Sequence, residues 1–399
     1  MSVAAVDGAA ADAALRARTV GVLGGGQLGR MLVHAAQRMG FRAVVLDPDA
    51  QCPAGQAADR LLRGAYDDPA ALADLARICC AVTTEFENVP ASSLQVLAAS
   101  VTVSPAAEAV RICQHRAREK AHFMASGVPC APHAVVASEA DLQAVRGDLL
   151  PGVLKTSQLG YDGKGQCRVT DRAGLAAAWR TTLGGRPCVL EALVPIHREL
   201  SVVVARAADG GMVHLPVQQN LHRDGILAVT QVPAPDVDAA TAEKVAAMAR
   251  RLAESMGYVG VLCVEFFVLE DGRVLANEMA PRPHNSGHPS IDACDVSQFD
   301  LQLRTLLGLP LTVPRQHSPA VMLNLLGDLW FDAAAPDAPP REPDWPAVLA
   351  LPGVHLHLYG KLEPRRSRKM GHLTVTAATP EAARATAGQA ARRLGLPDF

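Results

Sequence analysis

The chain has no strong excess of charge of either sign: 38 Lys and Arg stand against 40 Asp and Glu, a formal net charge of -2. Bulk electrostatics therefore gives no support to a nucleic-acid or membrane partner, and any anion site must be built from local clusters. The nine cysteines include no CxxC pair. An odd, irregularly spaced set fits reduced thiols better than a disulfide framework or a zinc site. The opening stretch, MSVAAVDGAAADAALRART, lacks the basic start and long apolar core of a signal peptide, and no later run reaches membrane-spanning length. A cytoplasmic protein with a disordered extension over residues 1–18 is expected. No GxxxxGK[ST] occurs, so a P-loop is excluded, and there is no internal repeat. What is present is 399 residues, 49% of them apolar, enough for two or three domains.

The densest chemistry lies between Val261 and Gly287. Two apolar runs, residues 261–269 and 274–279, flank Asp271-Gly272. Asp-Gly in that setting signals a tight hairpin, because a type I′ turn needs positive φ at both central residues. With such a turn Glu270 faces Arg273, and counting back along both strands sets Glu265 opposite Glu278. Facing carboxylates repel. A hard cation, Mg²⁺ or Mn²⁺, would relieve the repulsion and take oxygen ligands of this kind. The plainer reading is a solvent-facing hairpin with incidental acids. Against it, Arg282, His284 and Asn285 follow at once, in a segment stiffened by Pro281 and Pro283.

Upstream, residues 19–23 read as a buried strand, followed by GGGQLGRM and a helical pattern to Met39. Gly24, Gly26 and Gly29 satisfy GxGxxG, and a second buried strand ends at Asp47. Two readings stay open. One is a dinucleotide site with Asp47 on a ribose hydroxyl; the other is tight strand–helix packing that aims a helix N-terminus at some other phosphate. A helix over 69–78 and a strand at 81–82 lead into TTEFENVP. Glu85 lies where open parallel sheets bind ligands, or else simply starts a helix. Pro105 starts a helix carrying QHRAREK, whose Arg116, Glu119 and Lys120 fit a solvated charge cluster.

Lys155 sits inside an apolar strand and either snorkels outward or reaches a buried anion. In SQLGYDGKGQ, Gly160, Gly163 and Gly165 surround Asp162 and Lys164. Such a loop can fold over phosphates through its N–H groups, or be only a hairpin tip. Glu191 ends a strand, where a carboxylate can accept from a ribose or an adenine amine. Glu199 begins the next strand, a long strand is expected over 212–217, and His222 precedes a second Asp-Gly. Helices are expected over 239–256 and, with an amphipathic pattern, over 296–307. Residues 333–346 read as a surface excursion. The basic run from Lys361 to Lys369 reads as a solvated loop or a phosphate clamp. Composition changes near Ile112 and at Pro310 and Pro314 divide the chain into 19–112, 113–314 and 315–399.

A strand lysine, a glycine-rich loop, a glutamate at a strand end and a carboxylate pair are parts for holding a nucleoside triphosphate between two antiparallel sheets. In GGGQLGRM, TTEFENVP, GYDGKGQ, NLHRDGI, NEMAPRPHNSGH and YGK…RKMGH, in that order, the chain resembles the ATP-grasp enzymes, and among them the N5-carboxyaminoimidazole ribonucleotide synthetases of purine biosynthesis. The resemblance covers the chain after about Thr19. It implies an α/β fold (α+β in parts) with a Rossmann-like N-terminal domain that holds no dinucleotide, an ATP-grasp domain with a lid over about 134–200, and a small β-rich C-terminal domain.

It further implies that Arg116, Lys155, Gly160, Tyr161, Asp162, Gly163, Lys164, Gly165, Gln166, Glu191, Ala192, Leu193, Val194, Glu199, His222, Asn277 and Glu278 meet ATP. Glu265 and Glu278 would hold the metal. Tyr161, Asp162, Arg282, His284, Asn285 and Ser286 would line the imidazole and bicarbonate region, Gln27 and Glu85 would lie near the ribonucleotide, and Lys361 and Arg368 would clamp its phosphate. The implied reaction converts ATP, bicarbonate and 5-aminoimidazole ribonucleotide to the N5-carboxylated ribonucleotide, ADP and phosphate. A homodimer that passes its product to the mutase of the next step is implied as well. The chain departs from the pattern at Ala280, where many ATP-grasp proteins carry Asn, and at Ser367, where glycine is expected. The alternatives are a formate-using ribonucleotide transformylase of the same fold and, from a different class, an NAD-dependent oxidoreductase read from Gly24–Gly29 and Asp47.

Overall fold

The computed structural model describes residues 13–158, 160, 165–332 and 338–399. Thr19–Leu23 is buried along its whole length, and a strand buried on both faces belongs at the centre of a parallel sheet. That sheet has five strands in the order Arg60–Arg63, Arg42–Asp47, Thr19–Leu23, Ala81–Thr84, Thr102–Val103, all parallel. The order reverses beside Thr19–Leu23, so the crevice where such sheets bind ligands opens between Gly24 and Glu85. Residues 13–16 form a helical turn, and the Arg16 guanidinium donates to the carbonyls of Cys79 and Ala76. The end of the extension expected to be disordered is thus folded onto the first domain.

The single helix expected from Pro105 is two helices, Ala107–Cys113 and Arg116–Ala125. Between them the Gln114 amide turns back to the carbonyls of Glu87 and Val89, so its side chain serves the loop that follows strand Ala81–Thr84. Four antiparallel strands, His133–Val136, Cys188–Ala192, Gly152–Thr156 and Gln166–Val169, make a small sheet. It is backed by Leu142, Leu154, Leu175, Trp179 and Leu190.

The third sheet is larger. Its path runs Val274–Ala280, Gly260–Leu269, Ile196–Arg206, Gln218–Arg223, Ile226–Val232, Ala320–Leu326, Lys369–Thr376, Val354–Leu358. Strands from beyond residue 315 therefore extend the central sheet. The strand expected over 212–217 stops at His214, just ahead of Pro216, which has no N–H to give a ladder. The helix Gln298–Leu306 is buried on nearly every side, not amphipathic toward solvent. Phe299, Leu303 and Leu306 pack into the first domain, while Leu301 packs on the central sheet. Gln302 ties the two by donating to the Thr83 hydroxyl at 2.8 Å and accepting from the Val261 N–H at 2.7 Å. Part of the expected excursion is also packed: Trp345 is buried edge-on against Trp330, and both indoles donate to Glu342. Residues 333–337 of that stretch lie outside the described residues.

Candidate active site

At the crevice of the first sheet, the N-terminus of helix Gln27–Arg38 points free N–H groups at an anion. The anion is the protein's own. Glu85 accepts from Gly26 N–H at 2.9 Å and from Gly29 N–H at 3.1 Å. A Cβ at Gly26 would stand 2.5 Å from a Glu85 oxygen, so glycine is needed there for close approach. Asp47 is filled in the same way, by the N–H groups of Gly25 and Asp49 and the Tyr66 hydroxyl. Both features of the dinucleotide reading are thus satisfied inside the chain, leaving that reading without a phosphate site or a free ribose acceptor.

The central hairpin brings together the two carboxylates its sequence pointed to, by a different path. Glu265 pairs with Glu278. The turn is not type I′, since Gly272 has φ 80° while Asp271 is absent from the positive-φ residues. Leu269 N–H bonds Arg273 O and Gly272 N–H bonds Leu269 O, which is a three-residue loop closed by a left-handed glycine. Glu270 therefore does not face Arg273. Near the turn the pairs are Val268 with Val274 and Phe266 with Ala276. The register then shifts, leaving Asn277 as the extra residue of a bulge. Without that bulge Asn277 would face Glu265, and Glu278 would point to the other side of the sheet.

The two acids have different surroundings. Burial and then the charge of Glu278 push the Glu265 carboxyl up to about 8. Burial also opposes ionisation of Glu278, but the nearby Arg116 and Lys155 outweigh it and hold that carboxyl below its ordinary value. Arg116 lies 3.2 Å from Glu278 Oε2. Glu265 Oε1 is buried without a hydrogen-bond partner; the nearest basic group is His284 Nε2 at 3.7 Å. Burial, then Arg282, holds His284 well below its usual range, so the ring is neutral and gives Glu265 no charge. On the neighbouring strands His222 Nδ1 lies 2.5 Å from Glu199. Burial opposes its charge, yet Glu199 and Glu265 raise it to about 9.

Across from this pair, the small sheet contributes Lys155 and Glu191. Lys155 Nζ lies 3.0 Å from one Glu191 oxygen and Lys120 Nζ lies 3.3 Å from the other. Burial resists, but the two lysines bring the Glu191 carboxyl down to about 2. The solvated cluster expected on Arg116–Ala125 is therefore buried: Glu119 is 2% exposed and Lys120 is 0% exposed.

Between the sheets lies a cavity of about 160 Å³ lined by Arg116, Gly160, Glu265, Glu278, Arg282, His284 and Asn285, among others. Asn285 is buried, with neither its amide nitrogen nor its oxygen bonded. Ser286 faces away from the cavity, joining His284 Nδ1 to the Ser201 hydroxyl. Arg282 is paired with Glu87. A second cavity of about 900 Å³ shares Gln27, Glu87, Arg282 and Lys369 with the first and adds Glu85, Lys361, Arg365, Arg366 and Arg368. Lys361 there donates to Lys369 O, and Arg368 to Glu363 O.

Other sequence candidates fall around this frame. Gly165 has φ 71°, and Gln166 pairs with Lys155. Ala192 is half-buried and Leu193 is exposed, while Val194 lines a separate recess beside Leu275. Tyr161, Asp162, Gly163 and Lys164 lie outside the described residues. Lys120, Glu119, Glu87 and Lys369 belong to the site but were not among the sequence candidates. The available signal was the four-residue spacing of Arg116 and Lys120, which sequence alone assigns to a surface.

The donor set suits a hard cation: two facing carboxylates, one with an unpartnered buried oxygen. Among the described residues no third His, Cys, Asp or Glu completes a metal cluster. Phosphate oxygens and water would have to fill the remaining positions, as is usual for Mg²⁺.

A cavity between two antiparallel sheets, with a lysine-neutralised glutamate on one side and paired carboxylates on the other, defines an ATP-grasp enzyme. Residues 121–299 match the ATP-grasp domain, 17–114 the ribonucleotide synthetase preATP-grasp domain, and 320–386 the phosphoribosylaminoimidazole carboxylase C-terminal domain. The chain is 45% identical over 359 residues to the N5-carboxyaminoimidazole ribonucleotide synthase of Brucella melitensis, spanning 89% of this chain and 95% of that protein. It is 39% identical over 356 residues to the synthase of Bacillus subtilis, covering 89% and 90% of the two. The crystal structure of N5-carboxyaminoimidazole synthase from Aspergillus clavatus, in complex with ADP and 5-aminoimidazole ribonucleotide, matches with a TM-score of 0.85 at 33% identity, covering 96% of this chain and 99% of that one. The chain belongs to the N5-carboxyaminoimidazole ribonucleotide synthase family and is an ATP-dependent ligase.

Proposed function

We propose that this chain uses ATP and bicarbonate to carboxylate the exocyclic amine of 5-aminoimidazole ribonucleotide, giving N5-carboxyaminoimidazole ribonucleotide, ADP and phosphate. The observation that carries the reading is the pair of joined cavities. One has the facing carboxylates Glu265 and Glu278, the other a wall of Lys361, Arg365, Arg366, Arg368 and Lys369, and Arg282 and Lys369 belong to both. A triphosphate end and a ribonucleotide phosphate can thus be held with their reactive groups meeting at Arg282.

ATP lies between the sheets, with Lys155 and Arg116 facing its phosphates and Glu191, Glu199 and His222 its nucleoside side. Glu265 and Glu278 would hold Mg²⁺ or Mn²⁺, which would neutralise phosphate charge and draw electron density from the γ-phosphorus. A bicarbonate oxygen attacks that phosphorus and the bond to the ADP oxygen breaks, leaving carboxyphosphate. The ribonucleotide amine then attacks the carboxyl carbon, either directly or after CO₂ is released in the closed site. A C–N bond forms and phosphate leaves, the amine losing a proton. Asn285, with both amide atoms unengaged, and neutral His284 are placed to donate or accept at the bicarbonate and imidazole. Arg282 keeps its charge because Glu87 raises it further above its ordinary value, against the effect of burial.

Lys361 and Arg368 take the ribonucleotide phosphate, with Gln27 and Glu85 near its sugar. A cytoplasmic homodimer that hands its product to the following mutase belongs to the same proposal. Nine free cysteines support a reducing compartment, and no described helix is long and apolar enough to cross a membrane.

The test is ADP release with ATP, Mg²⁺ and bicarbonate, with and without 5-aminoimidazole ribonucleotide. Strong dependence on the ribonucleotide, with the N5-carboxylated product detected, is expected. ADP release that ignores it and responds to formate with another ribonucleotide would keep the fold and overturn the substrate.

A further inference from the structure

One short helix holds three successive residues of the bulged strand. From Arg116–Ala125, the Lys120 ammonium donates to the Asn277 carbonyl at 2.9 Å, Arg116 pairs with the Glu278 carboxylate, and Glu119 accepts from the Met279 N–H at 2.6 Å. The extra residue of a bulge loses its ladder partner, and at Asn277 the Lys120 ammonium replaces that partner. Lys120 is fully buried, and a buried lysine is a poor way to gain stability, because an apolar side chain of similar volume generally serves as well. It also lies 3.3 Å from Glu191 in the small sheet, so one ammonium joins the two sheets on either side of the nucleotide gap.

Resting on the metal reading above, we propose that Lys120 is a positioning residue for the divalent cation. It pins the bulge at Asn277 so that Glu278 stays on the same face as Glu265, and it fixes that face relative to the small sheet. Sliding the bulge by one residue would turn Glu278 away from Glu265 without removing any ligand.

The test is Mn²⁺ binding in the presence of ADP, followed by electron paramagnetic resonance, in Lys120→Met, Lys120→Arg and Glu119→Gln. Binding of 5-aminoimidazole ribonucleotide is measured beside it. Lys120→Met is expected to weaken Mn²⁺ binding about tenfold or more, the usual size for losing a group that orients a ligand, with ribonucleotide affinity unmoved. Lys120→Arg, which keeps a charged donor, is expected to restore part of the loss. Mn²⁺ affinity within about twofold of the parent in Lys120→Met would overturn the proposal, being below that orienting range. If Lys120→Met does not fold, Glu119→Gln decides. It keeps the shape but leaves only a weaker amide acceptor for Met279 N–H, loosening the helix's hold on the bulge, so a measurable weakening supports the proposal and none overturns it. Glu278→Gln separates the two layers: unweakened Mn²⁺ binding there removes the metal reading itself, whereas loss there with none at positions 119 and 120 removes only the pinning role.

Discussion

Two parts of this molecule look equally like anion sites in sequence and differ in how their polar groups end. At the glycine loop the glycine N–H groups have acceptors within the chain: Leu46 O takes that of Gly24, Asp47 that of Gly25, and Glu85 those of Gly26 and Gly29. Between the two antiparallel sheets, Glu265 Oε1, Asn277 Oδ1 and both amide atoms of Asn285 are buried and unbonded. Buried polar atoms are nearly always paired, so a cluster of unpaired ones marks where something from outside completes the structure. The motif proposes the site, and the unpaired groups identify it.

The sharpest way to break this contrast is at the unpaired end. Glu278→Ala should lower turnover by about a hundredfold or more, since even a group that only orients a metal ligand is worth about 10–100-fold, with the fold kept because little core volume is lost. Steady-state ADP release beside a thermal melt checks it, and full activity at saturating Mg²⁺ would sink the assignment. Lys361→Ala should raise the ribonucleotide KM by about tenfold, the order of one charge-assisted phosphate contact, leaving the KM for ATP alone. An unchanged ribonucleotide KM with weaker ATP binding would move that loop to the other cavity.

At the paired end the effect should be on stability. Glu85→Ala strips the helix N-terminus of its acceptor and should cost about 1–3 kcal/mol in denaturant unfolding, with no gain of NADH binding. Tight NADH binding by the parent protein would contradict the comparison outright.

Glu265 gives a pH test of the same contrast. Its carboxyl is raised to about 8 in the fold, above its value in the unfolded chain. The stabilisation is therefore complete below the unfolded pKa of about 4.3 and is lost as pH rises through 8. The melting temperature of the metal-free protein should fall across that window and level off above it. Glu265→Gln should flatten the fall, and a parent melt that does not change with pH would refute the assignment.

The smallest effect concerns Ser367, which sits at φ 62° in the basic loop where the family pattern suggests glycine. Ser367→Gly should stabilise by about 1 kcal/mol or less, the cost of a non-glycine left-handed residue. Destabilisation would mean that the Ser367 side chain contributes more than its backbone conformation costs.

Much of this was legible in the sequence, though not always for the right reason. The chemistry of the central hairpin could be read because acids at matched positions on two apolar runs leave few registers. The expected register nonetheless rested on a type I′ turn that does not form. The three-residue loop moves the pairing by one, and the bulge at Asn277 moves it back. At Asp224-Gly225 the same dipeptide does adopt positive φ at both positions, 51° and 76°, so the dipeptide alone does not fix the turn. Lys120 was out of reach, because a charged residue on a short polar helix reads as solvated until the partners that bury it, Glu191 and the carbonyl of Asn277, are known. The bond from Gln114 that splits the helix after Cys113 is likewise long-range, and local propensity carries no trace of it.

The carboxylate of Glu85 has a further consequence. A ligand built into the chain arrives with the fold, at an effective concentration that no free metabolite matches, since well-oriented intramolecular partners reach about 10⁵ M or more. The part of the glycine loop around Gly26 and Gly29 is therefore filled whenever the protein is folded. Its stability does not follow the nucleotide supply of the cell, and nucleotides at ordinary levels have no way to compete for it. The first domain is in this sense an already liganded module, whose remaining task is to present one rigid wall to the cavity next door.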